Sequence, residues 1–293
     1  MSDTPPTSAG EGRASAPSRT SAPPRADRTS PANRTSPANR TSSANRAGNG
    51  HGRLGSVLSG LAVALGCVLF LGGFAVAAFL YRPYSVPTDS MAPTLDVGSK
   101  VLAQRVDGTD IRRGDVVVFD DPLWANVPMV KRVVAVGGDT VACCGKAGRL
   151  TVNGTPVDEP YLAPDTLPST GQPFSVTVPA GKLFLLGDDR RTSLDSRAHL
   201  EEAGQGTVAV SAVTARVDAV VWPAKGVLAP PTGFEALPGG ISRPGPIASL
   251  FYAVVAGCVL ILAGAAYGPL AKLFGPKQRA TGEGRPGEGV VRT

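Results

Sequence analysis

Histidine is almost missing from this 293-residue chain: only His51 and His199 occur. A histidine-based hydrolytic triad would have to rest on one of these two, and His51 lies in a polar tail. Cysteine is nearly as scarce. Cys67 and Cys258 fall inside apolar runs, where a buried thiol is the ordinary reading, and Cys143 and Cys144 stand side by side. That distribution excludes a disulfide framework and leaves too few ligands for a zinc site; the adjacent pair is either two free thiols or a vicinal disulfide. No glycine-rich phosphate loop is present, so neither a metal nor a nucleotide cofactor is expected. Residues 1–53 lack large apolar side chains and are crowded with Pro, Ser, Thr, Ala and Arg. Such a segment cannot offset its ordering entropy and is expected to be disordered. Its threefold hexapeptide, Arg-Thr-Ser-Pro-Ala-Asn at 28–33 and 34–39 and Arg-Thr-Ser-Ser-Ala-Asn at 40–45, reads as a spacer or a weak contact for anionic lipid.

Charge is absent from two stretches, 54–81 and 247–271. Each exceeds the roughly 20 apolar residues needed to cross a bilayer, and the first is too long and too far along the chain for a cleaved leader. Residues 1–53 carry eight arginines against three acids, net +5, and residues 272–293 carry five bases against two acids, net +3. The segment 82–243 between the spans has 16 bases and 18 acids, net −2. Basic flanks stay in the cytoplasm, so both tails are expected on the cytoplasmic side of a membrane and 82–243 is expected to be exported. The overall basic charge belongs to the tails and does not point to nucleic acid.

Between the spans no stretch sustains a helical period. Short Val- and Thr-rich runs separated by turns predict strands at 99–106, 115–119, 129–136, 139–144, 149–152, 155–158, 174–178, 182–186, 206–210 and 215–222. Asn153-Gly154 is a tight-hairpin signal, and 159–173 reads as a loop. The fold class expected is an all-β domain, of sheets or a partly open barrel, between two transmembrane helices.

Within that domain one serine and one lysine stand out. Ser90 lies in Asp89-Ser90-Met91-Ala92-Pro93-Thr94-Leu95, where Pro93 forces a turn that holds the hydroxyl off regular structure. Of the five lysines between the spans, Lys100, Lys146, Lys182 and Lys225 adjoin turns or polar sequence. Lys131 alone is embedded in an apolar strand. The pleat groups Lys131 with Met129, Val133 and Ala135 and sends Arg132 to the other face with Val130 and Val134. A desolvated lysine loses its proton more readily and can serve as a base for a serine; a lysine snorkelling from a sheet edge is the alternative. Gly187-Asp188-Asp189-Arg190-Arg191-Thr192-Ser193-Leu194-Asp195-Ser196-Arg197 is a third dense cluster, which alone reads as a salt-bridged surface loop.

Taken together, 90–95, Arg-Gly-Asp-Val-Val-Val-Phe at 113–119, Lys-Arg-Val-Val-Ala-Val-Gly-Gly-Asp at 131–139 and 187–197 resemble the bacterial type I signal peptidases in order and spacing, over about 83–222. The resemblance implies a membrane-bound serine endopeptidase that cleaves signal peptides from secretory preproteins with small residues one and three positions before the scissile bond. It implies Ser90 as nucleophile, Lys131 as general base, Ser193 as a hydroxyl orienting the lysine amine, and Thr88 as an oxyanion donor where many members have serine. Arg132, Asp188, Asp195 and Arg197 fall where ion pairs brace the family's site. Ala198-His199-Leu200 departs from the aromatic and Trp-Gly common in the family after the last arginine, and Asp189 replaces a frequent Asn. Rival readings are a Ser/Lys self-cleaving repressor, disfavoured by the two spans, and a non-catalytic tethered β-domain that binds exported proteins. A sortase fails for want of a suitable cysteine.

Overall fold

In the computed structural model residues 50–274 are described, apart from 109, 125–126, 146–147 and 165–171. The hexapeptide tail, Lys146 and most of the C-terminal basic tail therefore lie outside the described residues.

Two long helices bracket the β-structure. Helix α1 spans Gly50–Leu80 and α2 spans Ile247–Phe274. Leu54–Leu80 and Ile247–Leu270 are long and apolar enough to cross a membrane, with mean hydropathy 2.5 and 2.4. The two helices pack antiparallel, with backbones close enough that glycine is required. A Cβ on Gly66 would stand 2.8 Å from the Gly257 carbonyl, and one on Gly257 would stand 2.7 Å from that of Gly66. The Ser59 hydroxyl donates to the Gly264 carbonyl at 2.7 Å.

Among the described residues twelve strands come after α1: β1 (Tyr81–Ser85), β2 (Lys100–Arg105), β3 (Val116–Phe119), β4 (Met129–Val136), β5 (Thr140–Cys143), β6 (Thr151–Val152), β7 (Thr155–Pro156), β8 (Phe174–Thr177), β9 (Lys182–Leu186), β10 (Thr207–Ala209), β11 (Val213–Trp222) and β12 (Gly226–Val227). They form an antiparallel sheet in the order β1-β2-β11-β3-β4-β9-β10, with β12 on β11, and a smaller sheet β7-β6-β5-β8. The expected β-domain between two apolar helices is thus what the chain forms, as sheets with free ends. The β6–β7 hairpin turns at Asn153 and Gly154, with φ of 53° and 77°, as the Asn-Gly signal requires.

Strand β1 has no counterpart in the sequence reading, which gave Tyr81 to the first span. Among the described residues it pairs with β2 alone, and it carries Pro83, which an edge strand tolerates. The even alternation expected along β4 also breaks. Its register with β9 shifts between Val133 and Ala135, and Ala135 packs with Val134 in one cluster while Met129 and Val133 pack in another. Ala135 therefore does not share the Lys131 face. A bulge inserts one residue and turns the side chains beyond it to the opposite face.

The core is apolar on both faces of the large sheet. Val134, Ala135, Phe184 and Leu186 meet Val141, Val152 and Val176 of the small sheet, closed by Phe234 and Leu237 from the segment leading to α2. On another face Val101, Ala103, Val116, Val118 and Ala215 receive Met91 and Leu95. Those two side chains are fully buried, and each contributes about 1.5–3 kcal/mol. They bracket the turn after Ser90 and anchor it to the sheet.

Candidate active site

Ser90 sits in a tight turn hung from the β1–β2 hairpin. Val86 N–H donates to Ser99 O and Gly98 N–H returns to Val86 O, so residues 87–97 form a closed excursion, with Gly98 at φ 83° supplying the turn back. Within it Ala92 N–H donates to Asp89 O and Leu95 N–H to Met91 O, both at 2.8 Å. The Ser90 carbonyl accepts from Asp189 N–H at 3.1 Å, which ties this turn to the 187–197 loop.

Lys131 comes from β4, opposite Val117 of β3. Its Nζ donates to Ser90 Oγ at 2.8 Å, and both residues are buried. Among the described residues no carboxylate lies in ion-pair reach of Nζ. Burial pushes the amine below the ordinary lysine range, further than the charges of Asp195 and Asp188 pull it back up. An amine so placed can accept a proton from the hydroxyl it touches, so sheet-edge snorkelling is not its situation. The Thr88 hydroxyl lies 3.2 Å from Ser90 Oγ.

On the opposite side of the strand Arg132 is saturated. It binds Asp188 through Nε at 2.8 Å and Nη2 at 2.6 Å, donates to the Gly114 carbonyl at 2.9 Å, and lies 4.0 Å over the Tyr161 ring. The Thr94 hydroxyl donates to Asp188 at 2.5 Å, so the serine turn and the lysine strand share one carboxylate. Asp195 takes Arg197 at 2.8 Å and also accepts from Gly187 N–H at 3.0 Å. Arg132 with Asp188 and Arg197 with Asp195 thus form two ion pairs, and a fully buried pair, Arg190 with Glu159, lies alongside.

Ser193 differs from expectation. Its hydroxyl is buried beside the site but has no hydrogen-bond partner among the described residues, and Lys131 donates to Ser90 instead. The side chain lies against Gly187: a Cβ there would be 2.1 Å from Ser193 Oγ and 2.5 Å from Ser90 O. Gly187 is thus needed for close approach, a role sequence reasoning missed although the glycine lay in the quoted motif. Thr94 was missed in the same way, and Tyr161 because its surroundings read as a loop.

His199 is not part of the site. Its ring stacks on Trp124 and its Nδ1 meets Glu202, whereas the partners of Ser90 Oγ are Lys131 and Thr88. Among the described residues no cluster suited to a metal ion exists. The adjacent cysteines form a disulfide at the end of β5, in the small sheet, and have no hand in the Ser90 geometry.

A cavity of about 420 Å³ opens over the pair. One wall is the 84–91 segment, another is 127–131, and Thr192 and Leu194 complete it. Val86, Met91, Val118, Val127, Met129 and Val130 make it largely apolar.

The model of the family described as signal peptidase, peptidase S26, matches residues 57–222. The chain belongs to that family. Signal peptidase I of Mycobacterium tuberculosis (strain ATCC 25618 / H37Rv) is 35% identical over 219 residues, covering 57% of this chain and 71% of the relative. Signal peptidase I of Bacillus licheniformis is 38% identical over 131 residues, covering 42% and 69%. A crystal structure of a signal peptidase I from Enterococcus faecalis V583 aligns over 41% of this chain and 98% of its own, at 26% identity and a TM-score of 0.29. The family match takes in Ser90, Lys131 and the 187–197 loop, so the geometry above lies wholly inside it.

Proposed function

We propose that this chain is a membrane-anchored serine endopeptidase that removes N-terminal signal peptides from exported preproteins, with Ser90 as nucleophile and Lys131 as general base. The observation that carries the reading is the 2.8 Å contact between a buried amine without a carboxylate partner and a buried hydroxyl, inside a family-matched segment.

The chemistry runs as acyl transfer. A precursor strand lies extended between the 84–88 and 127–130 segments, and its alternate side chains enter the apolar cavity, which excludes bulky residues. Uncharged Lys131 takes the Ser90 proton as Oγ attacks the scissile carbonyl. The Ser90 N–H and the Thr88 hydroxyl stabilise the oxyanion, and the threonine's position 3.2 Å from Oγ suits that task. The ammonium of Lys131 then protonates the departing amine, and water attacks the acyl-enzyme with the regenerated amine as base. Ser193, whose hydroxyl has no partner among the described residues and lies next to Gly187 by the Ser90 carbonyl, orients the amine once Lys131 releases Ser90.

α1 and α2 span the bilayer as a two-helix anchor, both termini are cytoplasmic, and 82–243 forms the extracytoplasmic peptidase domain. The charge distribution supports that orientation. Tethering raises the effective concentration of membrane-held substrate. Purified full-length protein in detergent, incubated with a secretory precursor and followed by N-terminal sequencing of the product, tests the reading. One cut after a small residue is expected, lost in Ser90→Ala; an intact precursor, or unchanged cleavage by that variant, overturns it. The same assay separates the peptidase from a non-catalytic tethered β-domain.

A further inference from the structure

Trp124 and His199 belong to two chain segments that both wall the cavity, and their rings lie parallel. The centroids are 4.4 Å apart at an interplanar angle of 9°. Trp124 closes a turn in which Asp121 accepts from Leu123 N–H at 2.9 Å and Trp124 N–H donates to Asp121 O at 3.1 Å. Its indole also meets Phe119 edge-on at 5.4 Å, which fixes it to the end of β3. His199 ends the 3₁₀ turn Ser196–His199. That turn is pinned to the sheet, because Ser196 Oγ donates to Gly206 O at 2.7 Å and accepts from Leu185 N–H at 2.8 Å. Glu202 Oε1, 2.6 Å from His199 Nδ1, sets the rotation of the imidazole.

Val127 and Pro128 come three and four residues after Trp124, and Leu194 and Thr192 five and seven residues before His199; all four line the cavity over Ser90. These wall residues have little burial of their own: Val127 is 51% and Leu194 74% exposed. Apolar packing therefore does little to fix their spacing. Beyond the β4–β9 ladder and the Arg132–Asp188 pair, the ring stack is a further link between the two segments, placed on the side of the cavity away from the sheet's own hydrogen bonds.

We infer that His199 is a positioning residue: through Trp124 it sets the distance between the Val127–Pro128 wall and the Leu194 wall, and with it the preference for small substrate side chains. The inference rests on the peptidase reading above. A surface stack serving stability alone would leave the kinetics unmoved.

The test measures kcat and KM of the full-length protein in detergent on two precursors, one with alanine and one with leucine three residues before the scissile bond. His199→Ala is expected to raise KM for the alanine precursor about 3–10-fold, the worth of one aromatic contact, with kcat unchanged. Its preference for alanine over leucine should shrink by a similar factor. His199→Phe, which keeps a flat ring, should restore both. Should His199→Ala fail to fold, His199→Gln, which keeps a polar partner for Glu202 but no ring, carries the same expectations. Unchanged KM and preference, a fall confined to kcat, or no restoration by phenylalanine would overturn the inference while leaving the peptidase reading intact. Failure of the wild type to cleave either precursor would overturn the reading and the inference together.

Discussion

Lys131 and Arg132 are neighbours on β4 and equally buried, at 5% and 4% exposure, yet their surroundings treat a positive charge in opposite ways. Arg132 meets both oxygens of Asp188, a backbone carbonyl and an aromatic face, and these hold its pKa up against the cost of burial. Lys131 meets a neutral hydroxyl. The carboxylates that act on it, Asp195 and Asp188, are already engaged by Arg197 and Arg132. Burial with a partner preserves charge, whereas burial without one removes it. One strand thereby carries a paired cation on one face and an amine held below its ordinary pKa on the other, the pull of the two arginine-paired aspartates on the lysine being outweighed by its burial.

The largest way to break this contrast is to make position 131 permanently charged. Lys131→Arg should lower kcat/KM for precursor cleavage by about 10³-fold or more, as should Lys131→Ala and Ser90→Ala, because a guanidinium cannot give up its proton in this range. Activity surviving the arginine would remove the discharged base. On the other face the effect should be on stability. Arg132→Met strands Asp188 in the interior and should cost about 3–5 kcal/mol in chemical denaturation, most of it regained in Arg132→Met/Asp188→Leu. A loss of under about 1 kcal/mol in the single variant would mean that the pair is solvated.

A smaller effect is expected where the two loops touch. Gly187→Ala pushes a methyl into Ser193 Oγ and the Ser90 carbonyl, and displacement of Ser90 by about 1 Å should lower kcat about 10²-fold with the fold retained. Wild-type kcat in that variant would show that the loop yields freely. The smallest effect is on stability against pH. A lysine whose folded pKa lies below its unfolded value binds fewer protons folded than unfolded. Wild-type stability relative to Lys131→Met should therefore rise with pH, from the lowered folded pKa up to the unfolded value near ~10.4, by at most about 1.4 kcal/mol per pH unit. A difference that stays flat or falls with pH would contradict the depressed amine.

Most of the strand pattern was legible because period and turn residues are local. β4 and β9 match their expected limits, and the Asn153-Gly154 hairpin lies where its chemistry required. β1 was not legible, since Pro83 and a preceding apolar helix mask an edge strand that exists only through its pairing with β2. The bulge after Val133 was hidden for the same reason: it belongs to the partner strand's register, not to β4's own sequence. At the site, Ser90 and Lys131 were visible as residue types in context, but Thr94 and Gly187 matter only once distant segments meet. Tyr161 and Glu159, in a segment read as loop, reach their arginines through the tertiary fold alone.

The most direct measurement is the titration of the Lys131 amine itself, by ¹⁵N NMR of lysine-labelled full-length protein in detergent, with Lys131→Met identifying the resonance. A midpoint clearly below the ordinary ~10.4 is expected, falling further in Asp195→Asn, which removes a charge that pulls the amine up. A midpoint at or above the ordinary value in the wild type would contradict a discharged lysine as the base for Ser90.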